Sequence, residues 1–164
     1  MWASESLLIS LFEELAITGP NAIHYEEQNQ AYEGLTFTAA NQTFRSRRVK
    51  KTPKKKGYFV ALWEKDRRGQ NQAYSVNSST DKLVLTILDG HHSGQFIFPR
   101  ALLIAKGIVK TETTAGKMAF RIYPPWVHDL NTSARKTQKW QLPYFCDLST
   151  PLVDLDKLRN LYLD

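Results

Sequence analysis

Residues 82–99, "KLVLTILDGHHSGQFIFP", constrain the fold more than any other stretch. "KLVLTIL" puts apolar side chains on both faces of an extended strand, a pattern suited to a strand covered from both sides. "DGHHSG" has the composition of a turn, and "GQFIFP" reads as the returning strand. "GYFVALWEK" (57–65) repeats the double-sided pattern: Tyr58, Val60 and Leu62 point one way, Phe59, Ala61 and Trp63 the other. It is therefore expected as a second central strand. Shorter strands are expected at "LTFTA" (35–39), at "QTFRSRRVK" (42–50) after a turn at Asn41-Gln42, and at "GKMAFRIYP" (116–124), which "YPPW" interrupts. Residues 21–34 are polar and carry no clear period.

Helices are expected around these strands. Leu7, Leu8, Leu11, Phe12 and Leu15 share one helical face, with Ser4 or Ser6 as cap and Gly19-Pro20 as stop. "PRALLIAKG" has Pro99 at its start and Gly107 at its end. "NTSARKTQKWQL" (131–142) is capped by Asn131 or Thr132 and ends near Pro143, and a last helix is expected from Thr150-Pro151. The fold class read from this order is α/β (α+β), a central mixed sheet flanked by helices.

The chain has 164 residues, 42% hydrophobic and 12% aromatic, enough for one domain (1–164) with a substantial core. Its single cysteine, Cys146, can form neither an internal disulfide nor a cysteine-based zinc site, which fits a reducing compartment. "MWASESLLISLFEEL" lacks a basic leader, and no run of about 18 apolar residues occurs, so neither a signal peptide nor membrane insertion is expected. A cytoplasmic protein is the expectation.

Net charge is +6, unevenly distributed. Residues 1–44 carry six Glu and no Lys or Arg; residues 45–68 carry eleven basic side chains against Glu64 and Asp66. Eight of the eleven lie in "FRSRRVKKTPKKKG": Arg45, Arg47, Arg48, Lys50, Lys51, Lys54, Lys55 and Lys56. Such asymmetry points to a polyanionic partner, whose counterions lysine and arginine displace. On a strand, Arg45 and Arg47 share one face and Arg48 and Lys50 the other. The whole run meets one ligand only if "KKTPKKKG" curls around it. The competing reading is a solvated edge strand.

Further cations sit beside aromatic rings. Lys117, Arg121 and Tyr123 fall on one face of the 116–124 strand, opposite Met118, Phe120 and Ile122. Arg135, Lys136, Lys139 and Trp140 lie on the 131–142 helix, with Trp126 shortly before it. The expected interface therefore adds Arg100, Lys117, Arg121, Lys136 and Lys139 for phosphates, and Tyr123, Trp126 and Trp140 for stacking on unpaired bases. The competing reading places both tryptophans in the core. No base-reading signature is visible, so little sequence specificity is expected.

"TPKKKGYFVALWEK", "GQFIFPRALLIAKGIV", "GKMAFRIYPPW" and "TQKWQLPYF", in this order, resemble the MepB family of small bacterial proteins, over about Tyr32 to Phe145. The family is genetically associated with a multidrug efflux pump. The resemblance implies a restriction-endonuclease-like (PD-(D/E)xK) core, ordered helix, three strands, helix, strand. Nucleases of that fold hold Mg²⁺ between carboxylates of neighbouring strands. Here Asp81 opens the first strand of the hairpin, but residues 90–105 contain no acid, and "FPR" (98–100) stands where acid-x-Lys belongs. Gln95 offers only a neutral oxygen. Glu33 or Glu64 could supply a relocated acid. Adjacent His91 and His92 diverge on a turn, and His24 and His128 are isolated, so no metal site is expected. The reading is a nucleic-acid-binding protein, for DNA or RNA, with a degenerate catalytic site. It takes single strands at least as well as duplex and needs no cofactor. The alternatives are an Mg²⁺-dependent nuclease using Asp81, and a protein- or ligand-binding accessory of an efflux system.

Overall fold

A computed structural model describes residues 1–164. Helix α1 (Ala3–Glu14) precedes strands β1 (Asn21–Tyr25), β2 (Leu35–Ala39), β3 (Gln42–Arg48), β4 (Lys50–Lys51), β5 (Tyr58–Ala61), β6 (Glu64–Lys65) and β7 (Asn71–Gln72). The hairpin β8 (Lys82–Asp89) and β9 (His92–Pro99) follows, then α2 (Arg100–Ala105), β10 (Ala119–Ile122), α3 (Thr132–Gln141), β11 (Phe145–Asp147) and α4 (Leu155–Leu163). The main sheet has the order β1-β2-β3-β8-β9-β11. All its pairings are antiparallel except β3 with β8, so the sheet is mixed as expected. Four adjacent strands with two helices, taken as α1, β3, β8, β9, α2, β11, follow the order that the resemblance implies.

The β8–β9 hairpin is covered on both faces. Leu83, Leu85, Ile87, Phe96 and Phe98 join a cluster with Tyr58, Val60, Leu103, Phe120 and Ile122. Val84 and Ile97, on the opposite face, join Leu8, Leu11, Phe12, Leu158 and Tyr162 of α1 and α4. Burying such aliphatic and aromatic side chains stabilises the fold by about 1.5–3 kcal/mol each.

Three local expectations are corrected and a fourth is narrowed. "GYFVALWEK" is central as expected, but not in the main sheet: β5 is the middle strand of a small second sheet, β10-β5-β4, which roofs one face of the main sheet. Its outer residue Phe59 is covered by the Tyr32 ring and by the Arg121 guanidinium, 6.3 and 5.8 Å away between centres. The 42–50 strand breaks at Val49, where the chain leaves β8 and Lys50 pairs with Phe59. Neither Ser4 nor Ser6 caps α1. The carboxylate of Glu33 does so from outside, accepting from the Ser4 amide at 3.0 Å and the Ser4 hydroxyl at 2.8 Å. The last helix starts at Leu155, where Asp154 accepts from the Lys157 amide, and Leu152 lies in the preceding loop at 90% exposure. Asn131 caps α3 as expected, accepting from Ala134.

Candidate nucleic-acid interface

The basic stretch is split in two by the chain's change of sheet at Val49. Arg45 and Arg47 do share a face of β3, but that face is interior: they are 9% and 0% exposed. Both bind the buried carboxylate of Glu26. Arg47 donates to it at 2.6 Å and Arg45 at 3.2 Å, and the Tyr74 hydroxyl adds a third bond at 2.8 Å. The Arg45 guanidinium lies 3.8 Å from the Tyr74 ring centre. Burial alone pushes the Glu26 carboxyl up; the charges of Arg47 and Arg45, with the Arg47 and Tyr74 hydrogen bonds, outweigh it and hold it below the usual carboxylate value. These two arginines are thus structural and do not reach phosphates. Arg48 pairs with Glu33 at 3.0 Å, and Lys50 lies over the Tyr32 ring at 4.7 Å.

The other half of the stretch builds a surface. Lys51, Lys54, Lys55 and Lys56 are exposed on or just beyond β4. Three adjoining depressions run across this face and share residues. The first, about 330 Å³, is lined by Lys51, Lys55, Lys56, Asp89, His92, Trp126 and His128. The second, about 510 Å³, is lined by Lys54, Lys55, Lys56, Arg121, Tyr123 and Asp129, with Ser133, Ala134 and Thr137 of α3. The third, about 240 Å³, is lined by Arg121, Tyr123, Thr137 and Trp140, with Lys106 and Lys117. The trough thus gathers seven cations and two acids, Asp89 and Asp129. The basic loop and α3 do meet on one face.

The loop is fastened from below. Arg121 donates to the Lys56 carbonyl at 3.0 Å and to the Thr52 hydroxyl. The Lys56 ammonium donates to the carbonyls of His128 and Asp129, both at 2.9 Å. Gly57 has φ +79° and sits so close to Tyr123 that an added Cβ would lie 2.6 Å from its ring. Arg121 and Lys56 therefore hold the trough's shape, while the side chains of Lys51, Lys54, Lys55, Lys106 and Lys117 make no hydrogen bond to the protein; of these Lys51 stands 3.7 Å from Asp89. Lys106 also lies 5.4 Å from the Trp140 ring centre.

Three expected members lie elsewhere. Arg100 sits 3.7 Å from Asp81 at the far end of the hairpin, roughly 25 Å of extended chain from Asp89 at about 3.3 Å per residue. Lys136 and Lys139 line none of the three depressions; the trough face of α3 is Ser133, Ala134, Thr137, Trp140 and Gln141. Both tryptophans are half-buried rims of the core. Trp126 already stacks on His92, with 4.5 Å between centres and 9° between planes, and donates to the Tyr58 hydroxyl at 3.0 Å. Lys106, His92 and His128 were not expected. Nothing periodic marks them, and the two histidines are brought together only by the tertiary fold.

The candidate catalytic groups are separated by their partners. Asp81 accepts from the amide and hydroxyl of Thr43, at 2.8 and 3.1 Å. Glu33 is occupied by Ser4 and Arg48. Glu64 accepts from the Ser78 hydroxyl at 2.6 Å and from Gln72 at 3.2 Å. Gln95 is fully buried, donates to the Thr86 hydroxyl at 3.0 Å and accepts from Tyr162. Leu83 pairs with Phe98, Thr86 with Gln95, and the Arg100 amide donates to the Asp81 carbonyl, so along the hairpin Asp81 lies closer to Arg100 and Phe98 than to Gln95. No group of three or more His, Cys, Asp or Glu side chains is arranged to hold a metal.

A mixed-sheet α+β protein carrying a basic trough on its roof is the class that fold and surface define. The MepB-like family model matches residues 26–147, and the chain belongs to that family. The crystal structure of MepB is 44% identical, with a TM-score of 0.80 over 92% of this chain and 99% of that one. The structure of a bacterial homing endonuclease, I-Ssp6803I, is 12% identical, with a TM-score of 0.46 over 84% of this chain and 85% of that one. No curated protein matches. No helix is long and apolar enough to cross a membrane.

Proposed function

We propose that the trough binds single-stranded nucleic acid, DNA or RNA, without cleaving it and with little sequence specificity. The observation that carries this reading is the run of three adjoining depressions with five lysines whose side chains make no hydrogen bond to the protein. Tyr123 and Trp140 lie half-exposed beside those cations, suited to unstacked bases rather than to a closed duplex. The separate engagements of Asp81, Glu33, Glu64 and Gln95 support binding without hydrolysis.

Fluorescence anisotropy of a labelled oligomer, single-stranded or annealed, tests it at low salt. Each sample is run on a denaturing gel afterwards, with and without Mg²⁺. Single strands are expected to bind at least as tightly as duplex and to stay intact. Changing Lys54 and Lys55 together to Glu is expected to abolish binding and leave the melting temperature unchanged. Absence of binding at low salt overturns the reading and moves the search to protein partners. Mg²⁺-dependent shortening overturns its non-catalytic part.

A further inference from the structure

The first depression differs from the other two, because a carboxylate is fixed in its wall. Asp89 Oδ2 accepts from the Tyr58 hydroxyl at 2.7 Å, and Tyr58 is 4% exposed. That hydroxyl in turn accepts from Trp126 Nε1 at 3.0 Å. The Lys51 ammonium stands 3.7 Å from the same oxygen. The carboxylate is thereby oriented through a buried hydroxyl and an indole, while Oδ1 makes no hydrogen bond within the protein. Asp129, the other acid of the trough, has no such support. A carboxylate repels a phosphate backbone, so fixing one inside a basic trough works against a ligand that offers only phosphates. It works in favour of a ligand that also offers hydroxyl donors. Beside it, His92 lies flat on Trp126, with the tilted ring of His91 5.5 Å away, so a base entering the depression extends an aromatic cluster already in place. Lys55 completes the wall. At about 330 Å³ the space lies within the ordinary range for small-ligand sites.

We infer that this depression is a ribonucleotide subsite: Asp89 Oδ1 accepts from a ribose 2′-hydroxyl, His92 stacks the base, and Lys51 and Lys55 hold the adjoining phosphates, so that the trough selects RNA over DNA. The inference rests on the trough binding nucleic acid at all. The 2′-hydroxyl is the group by which a protein tells the two apart at a given site. One hydrogen bond from it to a charged acceptor gives a preference of about tenfold or more.

The test compares oligo(U) and oligo(dU) of equal length, both carrying the same label at the 3′ end and a phosphate at the 5′ end, so that the strands differ only in the sugar 2′ position. RNA is expected to bind about tenfold more tightly. Oligo(U) with 2′-O-methyl groups, which keeps an RNA-like sugar but loses the donor, is expected to fall to the oligo(dU) level on the unaltered protein. Asp89→Asn retains an acceptor for Tyr58 and is expected to lower the RNA-to-DNA ratio to about one without weakening DNA binding. Equal binding of oligo(U) and oligo(dU), or full binding of the 2′-O-methyl strand, overturns the subsite and leaves the trough standing. So does Asp89→Asn strengthening both ligands alike, which makes Asp89 a support for Tyr58 alone. Failure of every strand to bind overturns the trough and the subsite together.

Discussion

The salt dependence of binding follows quantitatively from which cations the fold leaves free. Of the seven in the trough, Arg121 and Lys56 are engaged by carbonyls and a hydroxyl of the protein. Lys51, Lys54, Lys55, Lys106 and Lys117 remain. Each phosphate neutralised on a single strand contributes a slope of about −0.7 in log affinity against log salt, so five give about −3.5. Between 50 and 200 mM salt the affinity then falls roughly 100-fold. Changing Lys54 and Lys55 to Ala removes two contacts and is expected to reduce the slope to about −2.1, a fall of roughly 20-fold over the same range. The assay is anisotropy of a labelled single strand at five or six salt concentrations, with thermal melts of both proteins as controls. A parent slope shallower than about −1, or a variant slope equal to the parent's, refutes the assignment of these lysines to phosphates.

Arg121→Ala should loosen the 52–57 loop without removing a phosphate contact. Affinity is expected to drop severalfold with the salt slope unchanged, and trypsin should cut the loop faster. Glu26→Gln leaves Arg45 and Arg47 buried without a counter-charge and is expected to cost about 3–5 kcal/mol in urea unfolding. The Glu26 carboxyl is lowered in the folded state, so its contribution is fully present above the unfolded value of about 4.3 and lost as pH falls through the folded one. Acid unfolding monitored by circular dichroism should be steeper in the parent than in Glu26→Gln. The Cys146 thiol is 2% exposed and pushed up to about 11 by burial, which the Lys157 charge only partly offsets. At pH 8 it should react with a disulfide reagent about 200-fold more slowly than in urea, where its pKa is about 8.5. Equal rates would show that the thiol is accessible.

What was legible in the sequence divides by the range of the physics involved. The β8–β9 hairpin was readable because both of its faces announce their own burial and its turn is local. The same signal marks β5 as the centre of a sheet, which it is, but cannot say of which sheet, because a double-sided apolar pattern does not name the strands that pair with it. A single ring and a guanidinium, those of Tyr32 and Arg121, suffice to cover Phe59. The alternation of Arg45 and Arg47 gave the correct shared face but not its burial. That depended on Glu26, which lies in a polar stretch with no period to place it. Two buried arginines need a buried carboxylate, and residues 1–44 hold six Glu with no Lys or Arg among them. The early charge asymmetry is therefore partly internal. Of the six Glu there, Glu26 and Glu33 are spent on Arg45, Arg47 and Arg48. The same pairing subtracts three cations from the apparent polyanion site and leaves the lysines beyond Val49 as its working part. A basic run that starts on a strand and continues past a change of sheet is thus read best in two halves. The half in register with the core seeks its partner inside the chain, and the half beyond it faces outward.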